Sequence, residues 1–221
     1  MPRPLDGPRL APKSGQARQL VVFLHGYGAD GNDLIDLGQN WAELLPDAAF
    51  VSPHAPEPCG MSPMGRQWWP LTMRDPAERW RGCQQAAPDL EHFLTEELAR
   101  HQLPPSSLAL VGFSQGAMMA MHVGLRRETV PAAIIAYSGY LVGPEHLKTE
   151  AKGKPPILLV HGDQDTILPV DSLFEAMDGF GKAEIPCQWH LSVGVAHGID
   201  QGGLIHGGLF LAQNFGLKIP V

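Results

Sequence analysis

Leu108-Ala109-Leu110-Val111-Gly112-Phe113-Ser114-Gln115-Gly116-Ala117-Met118-Met119-Ala120-Met121 decides how the rest of the chain is read. Its first four residues are apolar and predict a short strand buried on both faces. Its last five are good helix formers. Between them lies G-x-S-x-G, with Ser114 at the apex and Gly112 and Gly116 two residues to either side. Strand, sharp turn and helix in this order hold a serine in a strained backbone conformation with its hydroxyl exposed, as a nucleophile needs. Side chains at the flanking positions would meet the neighbouring strand and helix, so glycine stands there. The five-residue pattern alone is weak; the strand before it and the helix after it make it specific.

Outward from this stretch, Gln19–Leu24, Ala48–Val51, Ala132–Tyr137 and Ile157–Val160 are further apolar runs, and Ile185–Leu191 alternates as a strand does. Helical spacing covers about 33–45, 87–101, 170–180 and 202–215, with Pro88 in the first turn of the second of these. An earlier helical piece is expected near Pro76. Residues 1–17 carry four prolines and read as an extended arm or edge segment; residues 139–154 read as loop. Strands alternating with helices predict a mostly parallel sheet with helices on both faces and right-handed crossovers. The expected architecture is one α/β domain over residues 1–221 with no large cap. Ligands then sit beyond the carboxyl ends of the strands. The loops beginning at His25, Gly112, Gly162 and Ser192 all belong to that edge.

The formal charge is −7, and Lys and Arg are scattered, which argues against a nucleic-acid or anionic-membrane surface. Cys59, Cys83 and Cys187 are odd in number and show no C-x-x-C spacing, so neither a disulfide framework nor a zinc site is indicated. Reduced thiols fit a cytoplasmic protein. The first residues hold no apolar signal-peptide core, and no run approaches the length of a membrane span.

A serine hydroxyl needs a base within hydrogen-bond reach, and the base needs an orienting acid. Downstream, His190 falls inside a strand and His206 inside the last helix, whereas His197 lies in a Gly-flanked loop pointing toward the edge that carries Ser114. The acid is Asp163 or Asp165, both in the loop after Val160. Asp163 is expected to cap that loop or the following helix, and Asp165, further over the edge, to reach the imidazole. The order Ser114, Asp165, His197 is that of α/β-hydrolases. An oxyanion hole needs two backbone N–H groups. Gln115, next to the nucleophile, supplies one, and Tyr27 in the loop after the first strong strand supplies the other, with His25 as a bracing residue.

The segment from His54 to Arg81 carries three of the five tryptophans among Pro and Gly, without period. It can be a loop that packs down its own apolar residues. It can also be a flap whose Met61, Met64, Trp68, Trp69 and Met73 wall an apolar substrate pocket, and this is the reading adopted.

The chain resembles the phospholipase/carboxylesterase family of small serine hydrolases, which also contains the acyl-protein thioesterases. The matching stretches are FLHGYGADGNDL (23–34), GFSQGAMMA (112–120), LLVHGDQDTILPV (158–170) and GVAHGI (194–199). GRQWWPL (65–71) resembles the family's substrate-flanking loop. The resemblance implies Ser114, Asp165 and His197 as a triad, Tyr27 and Gln115 as oxyanion donors, and hydrolysis of esters or thioesters with short to medium acyl chains. The expectation is a cytoplasmic serine carboxylesterase acting on a small-molecule ester or thioester, with no metal or cofactor and with a homodimer admitted as its assembly. An acyl-protein or acyl-CoA thioesterase or a lysophospholipase would use the same groups. A non-catalytic binding protein would have no need of both base and acid.

Overall fold

Strands buried on both faces are apolar along their whole length, and four such runs build the centre of this molecule. The computed structural model describes residues 1–72, 75 and 77–218. In chain order the elements are β1 (Arg9–Leu10), β2 (Gln19–Leu24), α1 (Asn32–Ile35), α2 (Leu37–Trp41), β3 (Ala48–Val51), β4 (Glu57–Pro58), β5 (Arg66–Gln67), α3 (Glu78–Arg100), β6 (Leu108–Phe113), α4 (Gln115–Arg126), β7 (Ala133–Tyr137), α5 (Leu147–Glu150), β8 (Ile157–Gly162), α6 (Asp171–Lys182), β9 (Gln188–Ser192) and α7 (Gln201–Asn214). Seven strands form one sheet in the order β1-β3-β2-β6-β7-β8-β9, and β4 pairs only with β5. All the neighbours in the large sheet are parallel except β1, which runs antiparallel to β3 at the edge.

Alternation along each strand divides the core. Leu20, Val22, Leu24, Leu108 and Leu110 face the layer that contains α3, α4 and α6. Val21, Phe23, Ala109 and Val111 face α1, α2 and α7. The α/β reading of the sequence therefore holds. No helix among the described residues is long and apolar enough to cross a membrane.

Three local expectations are corrected. The helix expected over 33–45 is two short ones, α1 and α2, meeting at Asp36. The 139–154 segment contains a 3-10 turn and the short α5. Pro88 lies inside α3, not at its start. It stands on the exposed side, as does Gln84, whose carbonyl loses its N–H partner to the proline ring, so water can solvate that carbonyl. The buried stripe Cys83, Ala86, Leu90, Phe93, Leu94 and Leu98 runs straight past it and makes one helix of 23 residues. Pro76 itself lies outside the described residues.

The amino-terminal arm is tied down by charge. Arg3 binds Asp89 through its side chain at 2.7 Å, and Arg9 binds Glu97 at 2.7 Å. Asp89 and Glu97 are both buried on α3. Removing one partner of a buried pair strands the other charge. Arg100 still contacts Glu97 at 3.0 Å, so Arg9→Ala should cost less than a fully orphaned pair, about 2–3 kcal/mol in urea unfolding. A loss near zero would show that the arm contributes no stability.

Candidate active site

Ser114 sits between β6 and α4 with φ 54° and ψ −116°, in the left-handed half of φ space that β-carbon-bearing residues avoid. Two close approaches hold it there. A Cβ on Gly112 would lie 2.3 Å from Gly116 O, and one on Gly116 would lie 1.9 Å from Leu24 O. The Ser114 N–H donates to Tyr137 O on β7 at 2.9 Å. The hydroxyl is left half-buried at the carboxyl edge of the sheet.

The candidate acid comes from the loop after β8. Asp165 divides its two oxygens. Oδ1 accepts from the backbone N–H of Ile167 at 2.9 Å and of Leu168 at 2.8 Å. Oδ2 lies 2.7 Å from His197 Nδ1. Burial pushes the Asp165 carboxyl up, but the bond from His197 and those two N–H groups outweigh it, and the net shift is downward. An ionised Oδ2 only accepts, so the proton belongs on Nδ1 and Nε2 presents its lone pair. The imidazole lies against Phe113, ring centres 4.8 Å apart, next to the serine in sequence. The structure thus brings the predicted nucleophile, base and acid to one edge.

Asp163 has a different task from the cap expected of it. Its Oδ1 accepts from Gly194 N at 2.6 Å, in the loop that carries His197. Gln164 N donates to Val195 O at 2.9 Å, and a Cβ on Gly162 would stand 2.2 Å from that same oxygen. The acid loop and the histidine loop are therefore zipped backbone to backbone. Ser192 and Asp200 clamp the ends of the histidine loop. The Ser192 hydroxyl donates to Asp200 Oδ1 at 2.6 Å, and Asp200 caps α7 through Gly202 N and Gly203 N. His161, which the sequence reading passed over, is buried beside the acid. Its Nε2–H donates to Leu168 O at 2.8 Å, and that nitrogen lies 3.5 Å from Asp165 Oδ2. A histidine closing a strand four residues before the acid was the available signal.

Tyr27 and Gln115 flank the serine. A Cβ on Gly26 would lie 3.3 Å from Ser114 Cβ, which puts the loop carrying Tyr27 directly against Ser114. Among the described residues the N–H groups of Tyr27 and Gln115 have no backbone acceptor. The Tyr27 phenol is pushed up to about 12 by burial and by the Cys59 side chain beside it. His25 is buried and braces the loop as expected: its Nε2 accepts from Ala55 N at 2.9 Å, and Nδ1 lies 2.8 Å from Gly26 O.

The expected apolar wall is not one surface. Met61 and Met64 project into solvent at 83% and 90% exposure, whereas Trp68 and Trp69 are buried at 1% and 2%. Met73 lies outside the described residues. Trp69 packs onto α3 where Gly82 leaves room; a Cβ there would meet its ring at 2.2 Å. Two adjacent indoles that satisfy the core are unavailable to line a pocket, a distinction that aperiodic sequence does not reveal.

The family model described as Phospholipase/Carboxylesterase matches residues 5–212. The chain belongs to the phospholipase/carboxylesterase family. Among its relatives, acyl-protein thioesterase 1 of Saccharomyces cerevisiae is 30% identical over 179 residues, 75% of this chain and 78% of that protein. Esterase YpfH of Escherichia coli is 27% identical over 185 residues, 83% and 78% of the two chains. The crystal structure of esterase PE8 superposes with a TM-score of 0.92 at 45% identity, covering 96% of this chain and 99% of that one. As a member of this family, the protein is a hydrolase of carboxylic esters or thioesters.

The bracing histidine makes the site's stability depend on pH. Burial lowers His25 from 6.5 to about 4, so the folded protein resists a proton that the unfolded chain takes up. That contribution is complete above pH ~6.5 and is lost as pH falls toward 4, a change on the order of 3 kcal/mol. Urea midpoints of the protein and of His25→Gln should converge as pH is lowered from 7 to 4. A constant gap would remove His25 from this linkage.

Proposed function

We propose that the protein is a serine carboxylesterase that cleaves short- to medium-chain acyl esters through a covalent acyl-enzyme on Ser114. The observation that carries this reading is the 2.7 Å bond from His197 Nδ1 to Asp165, which leaves Nε2 as a base at the edge where strained Ser114 exposes its hydroxyl. Ser114 Oγ attacks the ester carbonyl carbon while its proton passes to His197 Nε2. The negative oxygen of the tetrahedral intermediate accepts from the N–H groups of Tyr27 and Gln115, the latter at the amino end of α4 where the helix dipole also favours it. The imidazolium, held by Asp165, gives its proton to the leaving oxygen as the carbon–oxygen bond breaks. Water then repeats the sequence and releases the acid.

A fluorophosphonate probe should add one label, at Ser114. Ser114→Ala should lower kcat by a factor on the order of 10⁴–10⁶, and Asp165→Asn by about 10⁴. Labelling elsewhere would refute the mechanism. The yeast relative's name favours a second reading, thioester hydrolysis by the same groups. Matched ester and thioester series decide between the two.

We propose that the acyl chain does not run along the exposed Met61 and Met64 but enters a separate cleft. A cleft of about 400 Å³ opens between the start of α3 and residues 140–145, floored by Trp80, Leu141 and Val142. Its lining residue Tyr140 follows Gly139, which packs against the elbow: a Cβ there would lie 3.3 Å from Ser114 O. Arg79 lies 4.2 Å above the Tyr140 ring at its rim. Each methylene buried there should add about 0.8 kcal/mol until the cleft is full, so kcat/KM should rise and then fall with acyl length. Ala77 is an exposed lining residue, and Ala77→Trp should flatten the rise while sparing acetate esters. Equal losses on acetyl and longer substrates would place the acyl chain elsewhere.

A further inference from the structure

Residues 65–69 touch both sides of the candidate oxyanion hole. On one side, Arg66 bonds the loop that carries Tyr27: Gly28 N donates to Arg66 O at 2.9 Å, and Arg66 N donates to Ala29 O at 2.7 Å. The approach is so close that a Cβ on Gly65 would stand 2.1 Å from Gly28 O. The Trp68 indole N–H adds a bond to His25 O at 3.0 Å. On the other side, the fully buried Gln115 amide grips the same segment. Its Oε1 accepts from Trp68 N at 2.9 Å, and its Nε2 donates to Trp69 O at 2.8 Å.

An unbroken chain of bonds therefore runs from one proposed oxyanion donor to the other. It leaves Gln115 through its side chain, crosses the backbone of Trp68 and Trp69, and reaches the loop 25–29 through the indole of Trp68 and the backbone of Arg66. We propose that the Gln115 side chain is a positioning residue for ester hydrolysis, and that through residues 66–69 it sets the separation between the N–H groups of Gln115 and Tyr27. This rests on the reading of those two groups as oxyanion donors. The physical need is clear. Oxyanion stabilisation depends on donors fixed before charge develops, and one of these two sits on a helix while the other sits on a loop with no regular structure of its own. The pairing is also costly to leave half-made, because both amide atoms of Gln115 and the indole nitrogen are buried. Residues 66–69 thus act as a strut across the site, and Trp68 is buried to anchor that strut.

Two variants test this. Gln115→Leu removes both amide bonds at similar size, and Trp68→Phe removes the indole N–H to His25 O together with part of the buried ring, a packing loss that the thermal midpoint reads separately. The readouts are kcat, KM, the inhibition constant of a trifluoromethyl ketone, which forms a tetrahedral oxyanion on the serine, and the thermal midpoint. Deleting an oxyanion donor costs ~10²–10³ in kcat, and loosening one should cost less. The expected result for Gln115→Leu is a loss in kcat on the order of 10–100-fold with KM within a few-fold. The ketone should weaken by a matching factor. Trp68→Phe should shift kcat and ketone affinity in the same direction by a smaller amount. If Gln115→Leu does not fold, Trp68→Phe carries the test alone. Unchanged kcat in a folded variant, or a kcat loss without loss of ketone affinity, would overturn the proposal. Ser114→Ala separates the two levels: activity retained there defeats the triad itself, whereas an inactive Ser114→Ala beside a fully active Gln115→Leu defeats only the strut.

Discussion

The site depends on keeping one β-carbon-bearing residue, Ser114, at φ 54°. Such a conformation costs on the order of 1–3 kcal/mol and persists only where the surroundings over-determine it. Here the surroundings are backbone. The start of α4 is set so tightly against the end of β2 that nothing larger than hydrogen fits at Gly116, and β7 takes the Ser114 N–H. The elbow cannot relax without separating α4 from β2 and β7, which are buried at the centre of the sheet. The stability of the parallel core is thus what maintains the strain.

The proposed acid and base are held by different means. Asp165 lies in a loop whose own N–H groups fill one of its oxygens, leaving the other for His197. His197 lies in a loop without regular structure, yet that loop is bonded to the acid's loop by Asp163 and Gln164 and clamped at both ends by Ser192 and Asp200. Loops held in this way keep a fixed geometry at the sheet edge, while their exposed residues, such as Val193, remain free of the core.

What could be read from the sequence follows the same division. β2, β6, β7 and β8 are buried on both faces, so their sequences are continuous apolar runs, and their boundaries agree with expectation to within two residues. The residues placed together at the edge, Ser114, Asp165 and His197, were legible because each follows a strand whose end the sequence marks. Pro88 misled because its ring meets solvent, where the helix tolerates the missing bond. The 54–81 segment was legible as apolar but not as core or wall. Only its contacts, Trp69 against Gly82 and the Trp68 backbone against Gln115, separate those cases, and both join this segment to later helices, α3 and α4. The task of Asp163 escaped because its partner, Gly194 N, lies 31 residues on in another loop, whereas His161 was passed over although its partners are local.

The ion pairs that tie the amino-terminal arm to α3 also constrain the order of assembly. Arg9 and Glu97 are 88 residues apart in the chain, and Arg3 and Asp89 are 86 apart. At typical rates of synthesis, about 5–20 residues per second, the arm waits roughly 4–18 s after its own translation before its partners on α3 exist. During that interval the arm has its backbone pairing with β3 available, but the carboxylates that will fix it are not yet made. The arm can thus pair with β3 early, but its ion pairs are completed only once α3 is made.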